Sequence, residues 1–269
     1  MSDVELVSLD RDHPGFRDAR YRTRRQEIAR LALRHRPGEA CEAVSYTREE
    51  QDVWRQVLQK LELLHQRYAC AEFLEAWPHL GFTPSEIPQF VPLNERLSKI
   101  TSFQFMPVAG LVTPRVFLEA LSRNVFLATQ YMRHHSAPFY TPEPDVIHEL
   151  LGHAALLAHP RLARLHRLFG EAALSADEPR LKALIRVYWY ALEFGLLKSP
   201  SGLSVLGAGL LSSVGELGSL EKHPGLRPFE LHAVAETDFD PTDYQKVLFV
   251  AESSEALFQT LEAWLSPPT

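Results

Sequence analysis

Cysteine is nearly missing from this chain. Only Cys41 and Cys70 occur among 269 residues, too few for a disulfide framework and without the paired spacing of a zinc or redox site, so a reducing cytoplasm is the expected setting. Long apolar runs are missing too: no stretch approaches the roughly 18 uninterrupted apolar residues of a membrane-spanning helix. The opening MSDVELVSLD lacks the basic start and apolar core of a secretion signal. Neither export by that route nor membrane insertion is expected. Repeats, low-complexity tracts and Pro/Gly/Ser-rich linkers are absent as well, and a single domain over residues 1–269 is expected. Positive charge is in deficit, with 28 Lys and Arg against 34 Asp and Glu and a formal net charge of −6. That balance gives no reason to expect a nucleic-acid partner. Residues 17–36 run against it with eight arginines. Carrying Ile28, Leu31 and Leu33 in the same run, this stretch reads as one solvated helix face rather than a polyanion site.

What remains is ordinary for a globular protein, with 45% hydrophobic and 23% charged residues. Helix signals dominate. Thr47-Arg-Glu-Glu50 is a capping box that opens a helix through Trp54, Leu58, Leu61 and Leu64. Thr113-Pro114 is a cap followed by proline at the first helical position, leading into Phe117 and Leu121. Further helices are predicted near residues 92–101, 160–175, 179–196 and 253–265. Strand signals are short, at 103–108, 204–206 and 247–250, so the sheet content is expected to be small.

The most informative stretch is His148-Glu149-Leu150-Leu151-Gly152-His153, followed forty residues later by Glu193 within YWYALEFG (residues 188–195). Two imidazoles and one distant carboxylate can fill one face of a metal ion and leave the other positions open, as in non-haem Fe(II) oxygenases. A zinc-protease reading needs the two histidines four apart, about 40° around a helix, whereas five apart places them about 140° apart. These two can share a metal only if the helix ends or distorts between them, and Gly152 is the residue that could allow it. Read alone, each histidine could equally be a half-buried residue donating to a carbonyl.

The surrounding text carries more. TPEPDVIHELLGH (141–153) closely resembles the metal-binding signature of the pterin-dependent aromatic amino acid hydroxylases. DHPGF (12–16) is similar to that family's opening segment and PVAGL (107–111) to the start of its pterin loop. TQYMRH (129–134) precedes the metal motif as it does in the family, and GAGLLSS (207–213) follows the Glu193 block. Five matches in the same order cover nearly the whole chain.

The resemblance implies a mainly α fold, a helical basket with small β ribbons, and an iron- and tetrahydropterin-dependent monooxygenase acting on the ring of a free aromatic amino acid. It implies Fe(II) on His148, His153 and Glu193, with O2 as co-substrate and tetrahydrobiopterin or a bacterial analogue as the pterin. Gly110, Leu111 and Val112 would supply the backbone edge for the pterin and Phe117 its stacking face. Glu149 would line the pterin side as a catalytic carboxylate, with Tyr188 beside it. Arg133 would clamp the substrate carboxylate, with Thr141 and Ser212 adding hydroxyls nearby, while Pro144, Trp189 and Phe194 wall the ring. Leu127, Pro114 and Ile185 depart from the animal pattern of His, Ser and Ala, which bears on the pterin side chain rather than on the use of a pterin. Animal tryptophan hydroxylases carry Phe where this chain has Trp189, so phenylalanine to tyrosine is the leading reaction. Alternatives are tyrosine 3-hydroxylation or another ring position, since Pro241 matches neither animal pattern. More remote are a tryptophan hydroxylase, a zinc hydrolase using Glu149 as base, and a non-catalytic amino acid sensor. A bare catalytic domain without regulatory or tetramerisation segments is expected, and therefore a monomer.

Overall fold

The computed structural model describes residues 9–36, 38–200, 202–241 and 243–266. The opening stretch 1–10, over which no secretion signal was expected, falls almost wholly outside these residues, as does Thr269. Helices α1 (Ala19–Arg34), α2 (Arg48–Tyr68), α3 (Ala71–Leu80) and α4 (Phe90–Leu97) lead to strand β1 (Gln104–Pro107), helix α5 (Pro114–Leu121) and strand β2 (Val125–Ala128). A π-turn over His148–His153 runs into α6 (Ala154–Ala158), α7 (Pro160–Leu174) and α8 (Glu178–Tyr188), and a second π-turn covers Trp189–Glu193. Then come β3 (Leu196–Ser199), β4 (Gly202–Val205), α9 (Ala208–Leu211), α10 (Val214–Ser219), a 3-10 turn over Leu220–Lys222, β5 (Leu226–Pro228), α11 (Leu231–Glu236), β6 (Leu248–Ala251) and α12 (Ser254–Leu265).

The local signals act as the sequence predicts. Thr47 accepts from the Glu50 N–H while the Glu50 carboxylate accepts from the Thr47 N–H, closing the capping box of α2. The helix then buries Trp54, Leu58 and Leu61 completely, each worth on the order of 2 kcal/mol in removed apolar surface. Thr113 caps α5 by accepting from the Val116 N–H. The predicted helix over 179–196 departs from expectation at its end, because α8 stops at Tyr188 and widens into the second π-turn.

Small sheets flank the helices. β1 and β2 pair in parallel, and a second sheet has the order β4-β3-β6-β5, antiparallel only between β3 and β4. β2, β3 and β5 were not foreseen, each being only three or four residues long, with β2 and β5 pairing across intervening elements and β3 set between β4 and the distant β6. One apolar core runs from Val53 to Leu265, and both π-turns lie within it. α7 packs on α5 where Gly170 faces the Ser122 backbone, so a Cβ there would sit 2.2 Å from the Ser122 nitrogen. Among the described residues no helix is long and apolar enough to cross a membrane.

The basic run forms α1, yet it is not one solvated face. Arg25 is only 2% exposed, stacked 3.3 Å from the Tyr131 ring centroid and paired with Glu143 at 2.7 Å. Leu33, by contrast, is 60% exposed. Helical periodicity points the 25/28/29/32 stripe inward, and charge pairing decides that an arginine can occupy it.

Candidate metal and substrate site

The first π-turn resolves the spacing of His148 and His153. The Ala154 N–H reaches back five residues to the Glu149 carbonyl, and an i→i+5 turn stacks residues five apart almost over one another. The two Nε2 atoms are 3.1 Å apart. Gly152 does not end the helix as a left-handed cap; its contribution is space, since a Cβ there would lie 2.6 Å from the Ala208 carbonyl oxygen of α9. The second π-turn is closed by the Phe194 N–H donating to the Trp189 carbonyl at 2.8 Å. It delivers Glu193, whose carboxylate lies 3.1 Å from His153 Nε2 and 3.7 Å from His148 Nε2.

Burial drives both imidazoles neutral. It pushes His148 down to about 4, helped by the neighbouring His153, and His153 down to about 3. Burial raises Glu193, against which His148 and His166 pull. Two unprotonated nitrogens facing each other beside a carboxylate form a donor set that wants a cation, and N, N and O donors suit a divalent first-row metal. The outer ring nitrogens matter too. His148 Nδ1 lies 3.0 Å from Ser212 Oγ, which donates onward to the Ala208 carbonyl, a chain that fixes the tautomer with Nε2 free. His153 Nδ1 has no partner recorded.

A second carboxylate competes for the same point. One atom each from His148, Glu149 and His153 lie within 4.8 Å of one another. The geometry favours Glu193, because Glu149 Oε1 is already held by the Thr129 N–H at 2.9 Å and the Thr129 hydroxyl at 3.0 Å. Burial raises Glu149 to about 8, opposed by those two hydrogen bonds and reinforced by the negative charges of Glu193 and Asp145.

Two chambers meet at this point. One is lined by Arg133, Thr141, Pro144, Trp189, Phe194 and Ser212, the six residues read as substrate contacts. The other is lined by Gly110, Leu111, Val112, Phe117, Glu149 and Tyr188, the six read as pterin contacts. Pro144, His148, Trp189, Glu193 and Pro241 belong to both linings. Leu127, Pro114 and Ile185 line the second chamber as well.

Several of these side chains also carry bonds within the protein. Arg133 is not free: Nε and Nη2 make a two-point bond to Asp145 at 2.9 and 2.7 Å, and Nη1 reaches the Pro138 carbonyl at 3.4 Å. Of a guanidinium's five N–H groups, one on each Nη remains for a ligand. Burial alone would raise Asp145, but the Arg133 charge and hydrogen bonds outweigh it and hold the carboxyl low. Asp145 also accepts from the His148 N–H at 3.1 Å, tying the arginine to the start of the π-turn. The hydroxyl of Thr141 is spent on the Glu143 carbonyl and that of Ser212 on α9, so both order the surroundings of the chamber. Sequence reasoning missed the parts played by Asp145 and Thr129. Nothing in the sequence pairs Arg133 with a position twelve residues on, although Asp145 sits inside the quoted 141–153 motif.

Comparison with known proteins places these features in context. A family model described as biopterin-dependent aromatic amino acid hydroxylase matches residues 4–267. The chain is 42% identical over 252 residues to phenylalanine-4-hydroxylase of Rattus norvegicus, covering 92% of this chain and 56% of that protein. It is 44% identical over 250 residues to tyrosine 3-monooxygenase of Mus musculus, covering 91% and 50%. The chain thus spans only about half the length of these relatives. A solved structure of Chromobacterium violaceum phenylalanine hydroxylase, holding iron(III) and oxidised 7,8-dihydrobiopterin, superposes with a TM-score of 0.76 at 34% identity over 82% of each chain.

Proposed function

The chain belongs to the biopterin-dependent aromatic amino acid hydroxylase family, and from that membership we propose that it is an iron- and tetrahydropterin-dependent monooxygenase converting phenylalanine to tyrosine. The observation that carries the proposal is the meeting of two chambers at His148, His153 and Glu193. Those three residues would hold Fe(II). When bound, the iron and the reduced pterin supply the electrons and the redox centre with which O2 is used.

The chain's own residues bring the partners together. In the first chamber the two remaining N–H groups of Arg133 receive the amino acid's carboxylate, and the bond to Asp145 keeps the guanidinium plane fixed. Pro144, Trp189 and Phe194 enclose the ring and exclude water from it; Trp189 and Phe194 lie 4.7 Å apart. Across the shared wall, the exposed backbone of Gly110, Leu111 and Val112 faces a pterin edge-on while Phe117 stacks on it. Glu149, which burial pushes toward its protonated form, lines the same chamber and can hydrogen-bond a ring nitrogen. The Thr129 bonds occupy Oε1 of that carboxyl.

We extend the proposal to a monomeric, cytoplasmic protein with two free thiols, Cys41 and Cys70; light scattering after size exclusion tests the first term. Tyrosine 3-hydroxylation is the runner-up, favoured by the 44% identity to the mouse enzyme. The deciding experiment gives Fe(II)-loaded protein a tetrahydropterin, O2 and each of phenylalanine, tyrosine and tryptophan in parallel. Tyrosine as the main product supports the proposal. Faster formation of 3,4-dihydroxyphenylalanine from tyrosine overturns the choice of substrate, and no hydroxylated product from any of the three overturns the reaction.

A further inference from the structure

We propose that Gln245 is a positioning residue for ring selection, acting by fixing Trp189 in the wall of the substrate chamber; the inference rests on the hydroxylase reading above. Gln245 is buried and lines neither chamber, so it touches no ligand. Its side chain is fully used. Oε1 accepts from Trp189 Nε1 at 2.9 Å, while Nε2 donates to the carbonyls of Asp240 at 2.8 Å and Asp243 at 2.9 Å. An indole nitrogen only donates and a carbonyl only accepts, so these partners allow one orientation of the amide.

The backbone of Gln245 is anchored from the other side. Its carbonyl accepts from His223 Nε2 at 2.6 Å, and the Gly225 N–H donates to His223 Nδ1 at 3.2 Å, which fixes the histidine tautomer. Its N–H donates to Glu216 Oε1 at 3.4 Å. Trp189 meets this anchor edge-on and is clamped on its face by Phe239, stacked 4.1 Å away at 10°. Pro241, Asp243 and Tyr244, from the segment that Gln245 organises, line the same chamber as Trp189. One amide therefore sets both the plane of the tryptophan and its distance from Asp240 and Asp243. Chamber width depends on both, and width is what separates one ring from two.

The test compares wild type with Gln245→Met, Trp189→Phe and the double variant, reading kcat/KM for phenylalanine and tryptophan together with Trp189 emission, taken as the difference from each Trp189→Phe counterpart. Gln245→Met is expected to lower the phenylalanine-to-tryptophan ratio about fivefold, mainly through KM, and to shift the indole emission, because one buried hydrogen bond to the wall is lost. On the Trp189→Phe background the same substitution should change the ratio little, the non-additivity that marks action through Trp189. Gln245→Asn withdraws the amide by one methylene and carries the same expectations should the methionine variant fail to fold. Equal ratio shifts in both backgrounds, or an unshifted emission, would overturn the proposal. Wild-type protein active on no aromatic amino acid would instead overturn the hydroxylase reading, and the emission shift would then decide the Gln245–Trp189 link on its own.

Discussion

His148, His153 and Glu193 each bring one atom to a single point, so each should be needed to keep a metal there. Substituting any one by alanine is expected to abolish iron retention and hydroxylation while thermal melting shows a folded protein, since two donors on an open site bind too weakly. Full iron occupancy in one variant would remove that residue from the site. Arg133 belongs to the same scale. Arg133→Lys keeps the charge but cannot serve Asp145 and a substrate carboxylate at once, because the ammonium lacks the planar fork. The amino acid KM should rise by at least tenfold with iron content unchanged, as steady-state kinetics and metal analysis would show; an unaltered KM would take Arg133 out of carboxylate binding. At this scale the sequence was most legible where motifs are contiguous. That His148, His153, Glu193, Arg133 and Trp189 lie together could be read, whereas Asp145, Thr129 and Gln245 bond to partners 12, 20 and 56 residues away. Polar pairing across such separations leaves no periodic trace in a single sequence.

Helices with capping boxes and apolar stripes were legible as elements, and so was the need for a distorted turn between the two histidines. The kind of distortion was not. A π-turn has no composition signature of its own; it arises because α9 packs on the turn and the core accepts the bulge. Gly152 records that packing. Gly152→Ala is expected to cost about 1–3 kcal/mol of stability, as overpacking against backbone usually does, and to weaken iron binding because relief must come from moving the turn or α9. Denaturant melts and iron titration would check it. A variant with wild-type stability and wild-type iron affinity would show that the Ala208 carbonyl yields freely. Of the short strands, those at β1, β4 and β6 were legible, while β2, β3 and β5 were not, β3 lying between β4 and a parallel neighbour, β6, some fifty residues on.

Across the molecule the buried histidines make stability depend on pH. His65 is pushed down to about 4 by burial, partly offset by its bond to the Leu211 carbonyl, and burial takes His166 to about 4 as well. Unfolding exposes both to water, where each binds a proton near 6.5. Below that value the unfolded chain takes up protons that the folded one refuses, so this stability is complete above about pH 6.5 and is lost as the pH falls toward 4. Each such group contributes a slope of up to about 1.4 kcal/mol per pH unit. Denaturant melts between pH 7.5 and 5 should therefore show a shallower loss for His65→Gln than for wild type, and equal slopes would mean that His65 does not stay neutral.

The partition between the two chambers carries a last consequence. Pro144, His148, Trp189, Glu193 and Pro241 each present one surface to either side, so an occupant of one compartment that shifts the partition alters the other. Equilibrium linkage makes that influence symmetric: the factor by which pterin changes the affinity for amino acid must equal the factor by which amino acid changes the affinity for pterin. Calorimetric titrations run in both orders should return the same ratio, and a substitution confined to the partition should alter both ratios together.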